Sequence, residues 1–253
     1  MAKAKRIMLI LGSGLYDIYG RQAEREILIK TGYGSASVQK LGGSAAGEVF
    51  LLRRHGKGHT LAPHMINYRA NISAAQKLGI DYIIATSAVG SMNPKIRVGD
   101  YVVVDQFIDF TKSRQSTFFG SEGDVRHTDM SHPYSDIVRS SLLSALKSAK
   151  VRFAAKGTYV CTEGPRYESA AEIRMFRKVG GDVAGMTGVP EVVLADELGI
   201  PYGSIAHVTN MCSGMQSELS HGEVLKEMKK SLPQTKKVLD HAINELSASS
   251  NGP

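Results

Sequence analysis

Three short segments of the sequence combine glycine with side chains that bind anions, and each follows an apolar run. Glycine lets backbone N–H groups approach a ligand closely, while serine hydroxyls and an arginine guanidinium donate hydrogen bonds to phosphate oxygens. Taken singly, each segment has a structural alternative: a plain turn, a solvated basic loop or a helix cap. Their convergence would form a phosphate site. The segments are residues 11–15 (LGSGL), 53–59 (RRHGKGH) and 86–91 (TSAVGS).

Other chemistries have weaker support at these segments. The first is not a dinucleotide fingerprint, because the position of its third glycine holds Asp17. Histidines at positions 55, 59 and 64 suggest a metal site, but no HExxH or Cys/His pattern accompanies them. No metal site is therefore predicted. The chain also has no GxSxG motif, so nothing local supports a hydrolase triad.

A second group of segments carries residues that could bind a flat, nitrogen-rich ring. In residues 161–168 (CTEGPRYE), Tyr167 could stack on such a ring while Glu168 accepts hydrogen bonds from its N–H groups. The alternative is that Glu168 caps the helix that follows. In residues 207–214 (HVTNMCSG), Asn210 offers an amide, although asparagine is also a common turn residue.

The elements that must position these residues follow from the hydrophobic pattern. Strands alternate with helices, which predicts a mainly parallel α/β sheet. We expect one domain over residues 1–253, with a frayed tail at 247–253, and a last helical segment at 221–246 that is interrupted near Pro233. The predicted strands are residues 7–11, 49–52, 82–85, 101–104, 157–161 and 202–208, and the other predicted helices are 67–78, 135–149, 169–179 and 190–198.

Composition narrows the class of protein and its partners. The 253 residues are 42% hydrophobic, which excludes a disordered chain, and two cysteines cannot form a disulfide framework. We therefore expect a cytoplasmic protein, and no apolar run is long enough to span a membrane. The net charge of +7 favours an anionic partner. The basic segment 226–237 lacks interleaved aromatic residues, so we interpret it as a solvated helix face rather than a nucleic-acid site.

The order and content of these motifs resemble the trimeric purine nucleoside phosphorylase and methylthioadenosine phosphorylase family. The resemblance runs from residue 11 to about residue 224. Its most specific stretches are residues 93–100 (NPKIRVGD), 163–168 (EGPRYE) and 185–193 (GMTGVPEVV).

The resemblance implies a single α/β domain with a mixed, partly barrel-like sheet flanked by helices, assembled as a homotrimer or a dimer of trimers. It implies reversible cleavage of a purine nucleoside by phosphate, which yields the free base and ribose 1-phosphate. Inorganic phosphate is then a co-substrate, and no metal or organic cofactor is required. The expected partners are these small molecules, with no nucleic acid and no membrane.

The resemblance also assigns roles to individual residues. It implies that the nucleoside contacts Tyr167, Glu168, Met186, Asn210 and His221, with His127 supplied by a neighbouring subunit. Asn210, Glu168 and His55 are the residues expected to carry catalysis. The residues expected to bind phosphate are Ser13, Arg54, His55, Ser87, Ala88 and Thr187.

Two questions of substrate remain open at the level of sequence. Glu168 and Asn210 favour a 6-oxopurine, since the adenine-preferring branch usually has a small residue and Asp at these positions. His221 resembles the histidine that binds the 5′-hydroxyl, whereas residues 54–71 and 127–134 look more like the methylthio branch. A 5′-methylthionucleoside phosphorylase, acting on methylthioinosine or methylthioadenosine, is therefore an alternative. A non-catalytic nucleoside-binding protein is another.

Overall fold

The computed structural model describes residues 4–42, 47–217 and 220–249. Its helices are α1 (Tyr68–Lys77), α2 (Asp136–Ser148), α3 (Ala170–Lys178), α4 (Gly188–Glu197) and α5 (His221–Ala248). Its strands are β1 (Arg6–Leu11), β2 (Ala23–Thr31), β3 (Gly34–Leu41), β4 (Glu48–Arg53), β5 (Tyr82–Ser91), β6 (Tyr101–Val103), β7 (Gln106–Phe110), β8 (Phe153–Ala154), β9 (Thr158–Thr162), β10 (Val183–Gly185) and β11 (Tyr202–Met211).

The strands form one mixed sheet in the order β2-β3-β4-β1-β5-β10-β9-β7. Strand β11 pairs with β5 and β6, and β6 pairs with β8. Strand β1 runs parallel to β4 and β5, whereas β10 runs antiparallel to β5. The predicted α/β class with a mixed sheet flanked by helices is confirmed.

Helices cover both faces of this sheet, as the side chains of β1 illustrate. Met8 and Ile10 belong to a core cluster that includes residues of α1 and α4. Ile7, Leu9 and Leu11 belong to a second cluster that includes residues of α2 and α5. Successive side chains of a strand point to opposite faces, so a strand buried on both sides is a continuous apolar run.

The sheet forks at β5, the strand that contributes most to the cavity described below. Along one edge, residues 82–85 pair with β1 and residues 90–91 pair with β10. Between these pairings, residues 86–89 have no strand against them on that edge in the described part of the chain. Strand β11 covers the opposite edge throughout. The fork therefore leaves backbone groups of residues 86–89 available to other partners.

A bulge in β11 lies beside the same place. The register between β11 and β5 shifts between Val208 and Asn210, so Thr209 is the extra residue. Regular alternation would send Thr209 and Asn210 to opposite faces of the sheet. The bulge allows both side chains to line one cavity.

The predicted elements are confirmed as strands and helices, with differences in extent. Residues 86–91 lie within β5 instead of after it. The β2–β3 hairpin was not predicted, because most of β2 is exposed and lacks the apolar run used to find buried strands.

Helix α5 corrects two expectations about the C-terminal segment. It continues through Pro233, because buried residues on both sides, including Met228 and Val238, hold it against the sheet and offset the lost hydrogen bond. It also includes residues 247 and 248, which were expected to fray. Ser249 Oγ then donates to the Leu246 carbonyl. Residues 250–253 of the predicted tail lie outside the described residues.

Among the helices that the structure describes, none combines the length and apolar character needed to cross a bilayer.

The packing of α2 on β11 gives a prediction about stability. A Cβ atom at Gly203 would overlap Val138 Cγ1 and would lie 3.5 Å from Leu142 Cδ1, both on α2. We expect Gly203→Ala to lower the free energy of unfolding by about 1–3 kcal/mol, as overpacked core substitutions do. Urea unfolding of both proteins measures the difference. Gly32→Ala is the matched control, because a Cβ there meets nothing within 4 Å, and a similar loss in both variants would contradict the prediction.

Candidate active site

A cavity of about 400 Å³ opens at the fork of the sheet. Its walls come from segments that are distant in sequence: the ends of β1, β4, β9, β10 and β11, the middle of β5, and the first residues of α4 and α5. Eleven of the twelve predicted site residues line it. They are Ser13, Arg54, His55, Ser87, Ala88, Tyr167, Glu168, Met186, Thr187, Asn210 and His221.

One wall joins the turn after β1 to the unpaired part of β5. The Gly12 amide donates to Thr86 Oγ1 at 2.9 Å, and a Cβ on Gly12 would lie 2.7 Å from the Thr86 carbonyl oxygen. Only glycine permits this approach, which brings Ser13 and Ser87 into one wall. Ser87 Oγ is buried and has no hydrogen-bond partner within the described residues. Its hydroxyl is thus available to a ligand.

Arg54 lies at the end of β4 with its guanidinium fully buried. Its Nε and Nη2 donate to the two carboxylate oxygens of Glu191 at 2.8 and 2.6 Å. Its Nη1 donates to the Thr86 carbonyl at 2.7 Å. Tyr202 also donates to Glu191 Oε1 at 2.8 Å. This bidentate pair joins β4, β5 and α4 directly behind the predicted phosphate site.

The ion pair balances the charge of Arg54 within the protein. Burial by itself would lower the pKa of Arg54, but the Glu191 carboxylate raises it further, so the net direction is upward. Arg54 is one of the residues expected to bind phosphate. Arg54 lines the cavity and can donate hydrogen bonds to a ligand. Because Glu191 balances its charge, Arg54 adds no net charge to the site.

His55 is the second predicted phosphate residue of this segment. Its Nδ1 lies 2.8 Å from the Leu61 carbonyl, which can only accept, so Nδ1 carries the proton and Nε2 is left as an acceptor. Burial lowers the pKa of His55 to about 4, against the smaller opposing effect of the Leu61 carbonyl. His55 is therefore neutral at pH 7.

Two further histidines extend from His55 to the mouth of the cavity. The rings of His55 and His59 stack with centroids 4.3 Å apart, and the His59 ring is 5.9 Å from that of His221. The Tyr16 hydroxyl connects the array, since it accepts from the His55 amide at 3.1 Å and bonds His59 Nδ1 at 3.2 Å. Burial lowers the pKa of His59 as well.

Thr187 stands at the start of α4, next to the Arg54–Glu191 pair. Its amide and that of Gly188 donate to the Tyr159 hydroxyl at 3.2 and 3.4 Å. The Thr187 hydroxyl makes no capping bond to the helix. The backbone at Val189 is not helical (φ −117°, ψ 134°), so the regular part of α4 begins beyond it, and the Thr187 hydroxyl is the group that suits an anion.

Glu168 is buried in the opposite part of the cavity. The Thr162 hydroxyl donates to its Oε1 at 2.6 Å, which leaves Oε2 for another donor. Helix α3 is capped by a box between Ser169 and Glu172. Glu168 is therefore not the helix cap, and the alternative interpretation of this residue is wrong.

Asn210 lines the same cavity from the bulged end of β11. The Thr209 hydroxyl donates to its Oδ1 at 2.8 Å, and its Nδ2 donates to the Met211 carbonyl at 3.0 Å. These bonds orient the amide and leave one N–H of Nδ2 for a ligand. Asn210 is part of a strand, so the turn interpretation is wrong too.

Tyr167 and Met186 contribute apolar surface to the cavity. Gly164 has a positive φ of 65°, and a Cβ there would lie 2.7 Å from Met186 Sδ and 3.3 Å from Pro63 Cγ. The glycine thus lets three segments of the wall meet at one point. Tyr167 remains half-buried, with its ring on the cavity.

His127 is the predicted site residue that does not line this cavity. It is exposed on the long segment between β7 and α2. Because the resemblance assigns it to a neighbouring subunit's site, its position in one chain leaves that assignment a prediction.

Several residues that build the site are not predicted from the sequence. Glu191 was quoted within a motif but given no role, although a carboxylate in the otherwise apolar run PEVVLA must find a partner if it is buried. Arg114 was also missed, and no local pattern marks it within the polar segment after β7. His59, Thr209 and Cys212 line the cavity too. No group of three or more possible metal ligands occurs within the described ranges.

Comparison with known proteins places this geometry in a family. The model of the phosphorylase superfamily matches residues 6–244. The 6-oxopurine nucleoside phosphorylase of Pyrococcus furiosus is 47% identical over 94% of this chain and 92% of its own length. A probable S-methyl-5′-thioinosine phosphorylase of Methanothermobacter thermautotrophicus is 44% identical over 98% of this chain and 86% of its own length.

Solved structures share the whole fold. Methylthioadenosine phosphorylase from Schistosoma mansoni, in complex with adenine, superposes with a TM-score of 0.91 at 31% identity. The match covers 97% of this chain and 93% of the other.

The buried ion pair gives a prediction for this site. We expect Glu191→Gln to lower the free energy of unfolding by about 3–5 kcal/mol, because it leaves the Arg54 charge buried without its counter-ion. Chemical denaturation at pH 7 measures the loss. Glu48→Gln is the matched control: this carboxylate also pairs with cations, Arg6 and Lys40, but its side chain is 31% exposed. A loss of about 0–1 kcal/mol per pair is expected there, and equal losses in the two variants would refute the role given to Glu191.

Proposed function

Because this chain belongs to the phosphorylase superfamily, we propose that it is a purine nucleoside phosphorylase specific for 6-oxopurines. It transfers the pentose of an inosine- or guanosine-type nucleoside to inorganic phosphate, and it releases the free base and the pentose 1-phosphate. The Pyrococcus furiosus relative, which is named a 6-oxopurine nucleoside phosphorylase, supports this substrate class.

The observation that carries the proposal is the pairing of Glu168 with Asn210 in one cavity. A 6-oxopurine presents an N–H at N1 and acceptors at O6 and N7. Glu168 has a free carboxylate oxygen to accept from N1, and Asn210 has a free N–H to donate to O6 or N7. In a 6-aminopurine N1 is an acceptor and the 6-amino group is a donor, so only N7 keeps its match, and a buried polar group left unpaired discriminates strongly.

The proposed phosphate wall, formed by Ser13, Ser87 and Thr187, supports attack by phosphate on the anomeric carbon. The bond from C1′ to the purine N9 breaks and a bond from C1′ to a phosphate oxygen forms, through a transition state in which the sugar is cation-like. A phosphate dianion held beneath C1′ by Ser13, Ser87 and Thr187 stabilises that charge. Holding both reactants in one cavity contributes further through proximity. His55 Nε2, as an acceptor, suits a hydroxyl of the phosphate or sugar.

The departing base takes the electron pair of the broken bond and gains a proton, which balances the proton that hydrogen phosphate loses as it becomes the pentose 1-phosphate. Asn210 donates a hydrogen bond as negative charge grows on the purine, so its contribution is greatest in the transition state. The nucleophile is the phosphate itself. We therefore propose inorganic phosphate as co-substrate, with no metal or organic cofactor and no covalent enzyme intermediate.

A specific observation favours 5′-methylthioinosine as a second substrate. Apolar residues Leu61, Pro63 and Val224 line the cavity beside His59 and His221. Such a mixed wall suits a thioether as well as a hydroxyl. The Methanothermobacter relative, named as a probable methylthioinosine phosphorylase, agrees with this candidate.

Assembly and location complete the proposal. We propose a homotrimer, or a dimer of trimers, in which the exposed His127 reaches the site of a neighbouring subunit. Both cysteines are buried and unpaired, which agrees with a reducing, cytoplasmic compartment. The substrates are small molecules, and no nucleic acid or membrane takes part.

A panel of nucleosides tests the proposed function. We expect rapid base release from inosine and 5′-methylthioinosine, and at least tenfold lower kcat/KM for adenosine and 5′-methylthioadenosine, because Glu168 and Asn210 match only the 6-oxo edge. Release is measured with and without phosphate, after treatment with a chelator. The Asn210→Asp variant, which removes the donor, is expected to lose the 6-oxo preference.

Three results would contradict this proposal. A preference of the unmodified protein for the adenine nucleosides would refute the base assignment. Binding of a purine without phosphate-dependent cleavage would instead indicate a non-catalytic nucleoside-binding protein. Loss of activity after chelator treatment would refute the proposal that no metal ion is needed.

His221 gives a separate prediction about the 5′ group. We expect His221→Leu to reduce kcat/KM for inosine about tenfold more than for 5′-methylthioinosine, because the variant loses a hydrogen bond to the hydroxyl but keeps an apolar contact for the thioether. Steady-state kinetics with both substrates measures the ratio. His241→Leu is the control, since His241 lies on the same helix and bonds Glu245 instead of lining the cavity. Equal losses for the two substrates would contradict a role for His221 in binding the 5′-hydroxyl and would leave it only the role of starting helix α5.

A further inference from the structure

Arg114 is a buried arginine on the segment after β7, and it does not line the cavity. Its side chain is only 2% exposed. Nη2 donates to the carbonyls of Thr162 and Glu163 at 3.1 and 2.8 Å. Nη1 donates to the Val189 carbonyl at 2.7 Å and to the Tyr68 hydroxyl at 3.1 Å. Every Nη hydrogen of the guanidinium therefore has an acceptor.

These acceptors belong to three different walls of the cavity. Thr162 and Glu163 begin the segment that carries Tyr167 and Glu168. Val189 follows Thr187 at the start of α4. The Tyr68 hydroxyl donates in turn to the Pro63 carbonyl at 2.9 Å, which holds the wall at the cavity mouth.

The strongest connection runs from Arg114 to the residue that reads the base. Arg114 holds the Thr162 carbonyl, and the hydroxyl of the same threonine donates to Glu168 Oε1. A shift of Thr162 would therefore move the carboxylate that faces the purine. On the other side, Val189 is two residues from both Thr187 and Glu191, so the same guanidinium also restrains the phosphate wall.

The geometry requires arginine in particular. Four acceptors lie around one planar group, which offers its hydrogens in fixed directions, whereas a lysine ammonium has three donors at a single point. The charge is balanced by Glu163, whose Oε2 lies 3.4 Å from Arg114 Nε. That carboxylate is held by the Lys112 amide and the Ser113 hydroxyl, at 2.9 and 3.1 Å. Burial would raise the pKa of Glu163, but these bonds and Arg114 lower it overall.

We propose that Arg114 is a positioning residue that holds the base-binding wall and the phosphate-binding wall at a fixed separation, and that the 6-oxopurine preference depends on it. The inference rests on the proposed function for its substrate, but its structural part concerns this chain alone. Arg114 acts through Thr162 and Val189 and makes no contact with the reacting atoms.

The test compares the unmodified protein with Arg114→Lys. We expect kcat/KM for inosine to fall about ten- to a hundredfold, as misplacements of about 1 Å do. The ratio of kcat/KM for inosine over adenosine should fall about tenfold as well, because Glu168 is no longer held in place. Amide hydrogen exchange over residues 158–168 should become faster, since local opening costs less free energy.

Arg139→Lys is the matched control. Arg139 also donates to backbone carbonyls, those of Val104 and Ala155, and its side chain is 13% exposed, but it lies on α2 away from the cavity. Arg139→Lys should change the melting temperature. It should not change the ratio of kcat/KM for inosine over adenosine, or the amide hydrogen exchange at residues 158–168. Tyr68→Phe removes one acceptor of Arg114 and provides a milder variant if Arg114→Lys does not fold; we expect smaller changes in the same direction.

The outcomes separate this inference from the proposed function. An unchanged ratio and unchanged exchange in Arg114→Lys, or in Tyr68→Phe if only that variant folds, would overturn it. The same changes in Arg139→Lys would show a merely structural effect and would overturn it too. If the unmodified protein cleaves no nucleoside, the proposed function fails, while the hydrogen exchange still decides whether Arg114 holds this wall.

Discussion

The buried pair of Arg54 and Glu191 is the constraint on which the site depends. Both side chains are fully removed from solvent, so neither charge is tolerable without the other. The pair forms only when β4, β5 and α4 meet in one arrangement. That arrangement places the turn after β1, the unpaired part of β5 and the start of α4 around one space. The proposed phosphate wall is thus a consequence of satisfying two buried charges.

Because of this pair, the basic composition of the chain does not place a free positive charge at the site. The net charge of +7 favoured an anionic partner, and Arg54 was the expected source of attraction. Inside the protein, Glu191 balances Arg54, Glu163 balances Arg114, and His55 is neutral. The proposed phosphate wall therefore offers the hydroxyl groups of Ser13, Ser87 and Thr187, which donate hydrogen bonds without free charge. The excess of Lys and Arg includes the solvated face of α5 and is not concentrated at the cavity.

The polar groups proposed to bind the base are also held by hydrogen bonds within the protein. Glu168 and Asn210 each accept a hydrogen bond from a neighbouring threonine, Asn210 also donates to the Met211 carbonyl, and each keeps one position free. The bonded position fixes the orientation of the group, and the free position determines what it can recognise. Arg114 extends this order outward, because it restrains the main chain on which Glu168 depends. Recognition in this cavity rests on bonds within the protein as much as on the residues that face a ligand.

Local sequence and the family resemblance together found eleven of the residues that line the cavity, because residue types and their place after apolar runs reflect short-range chemistry. Strand-length apolar runs identified β1 and β5, and a carboxylate beside an aromatic residue identified Glu168 and Tyr167. Tertiary structure alone decided which charges are free, since Arg54 and Glu191 are 137 positions apart and their pairing has no short-range signal. It also decided the bulge at Thr209 and the role of Arg114. Hydrogen bonds of this kind depend on distances in space, which the order of residues along a chain does not contain.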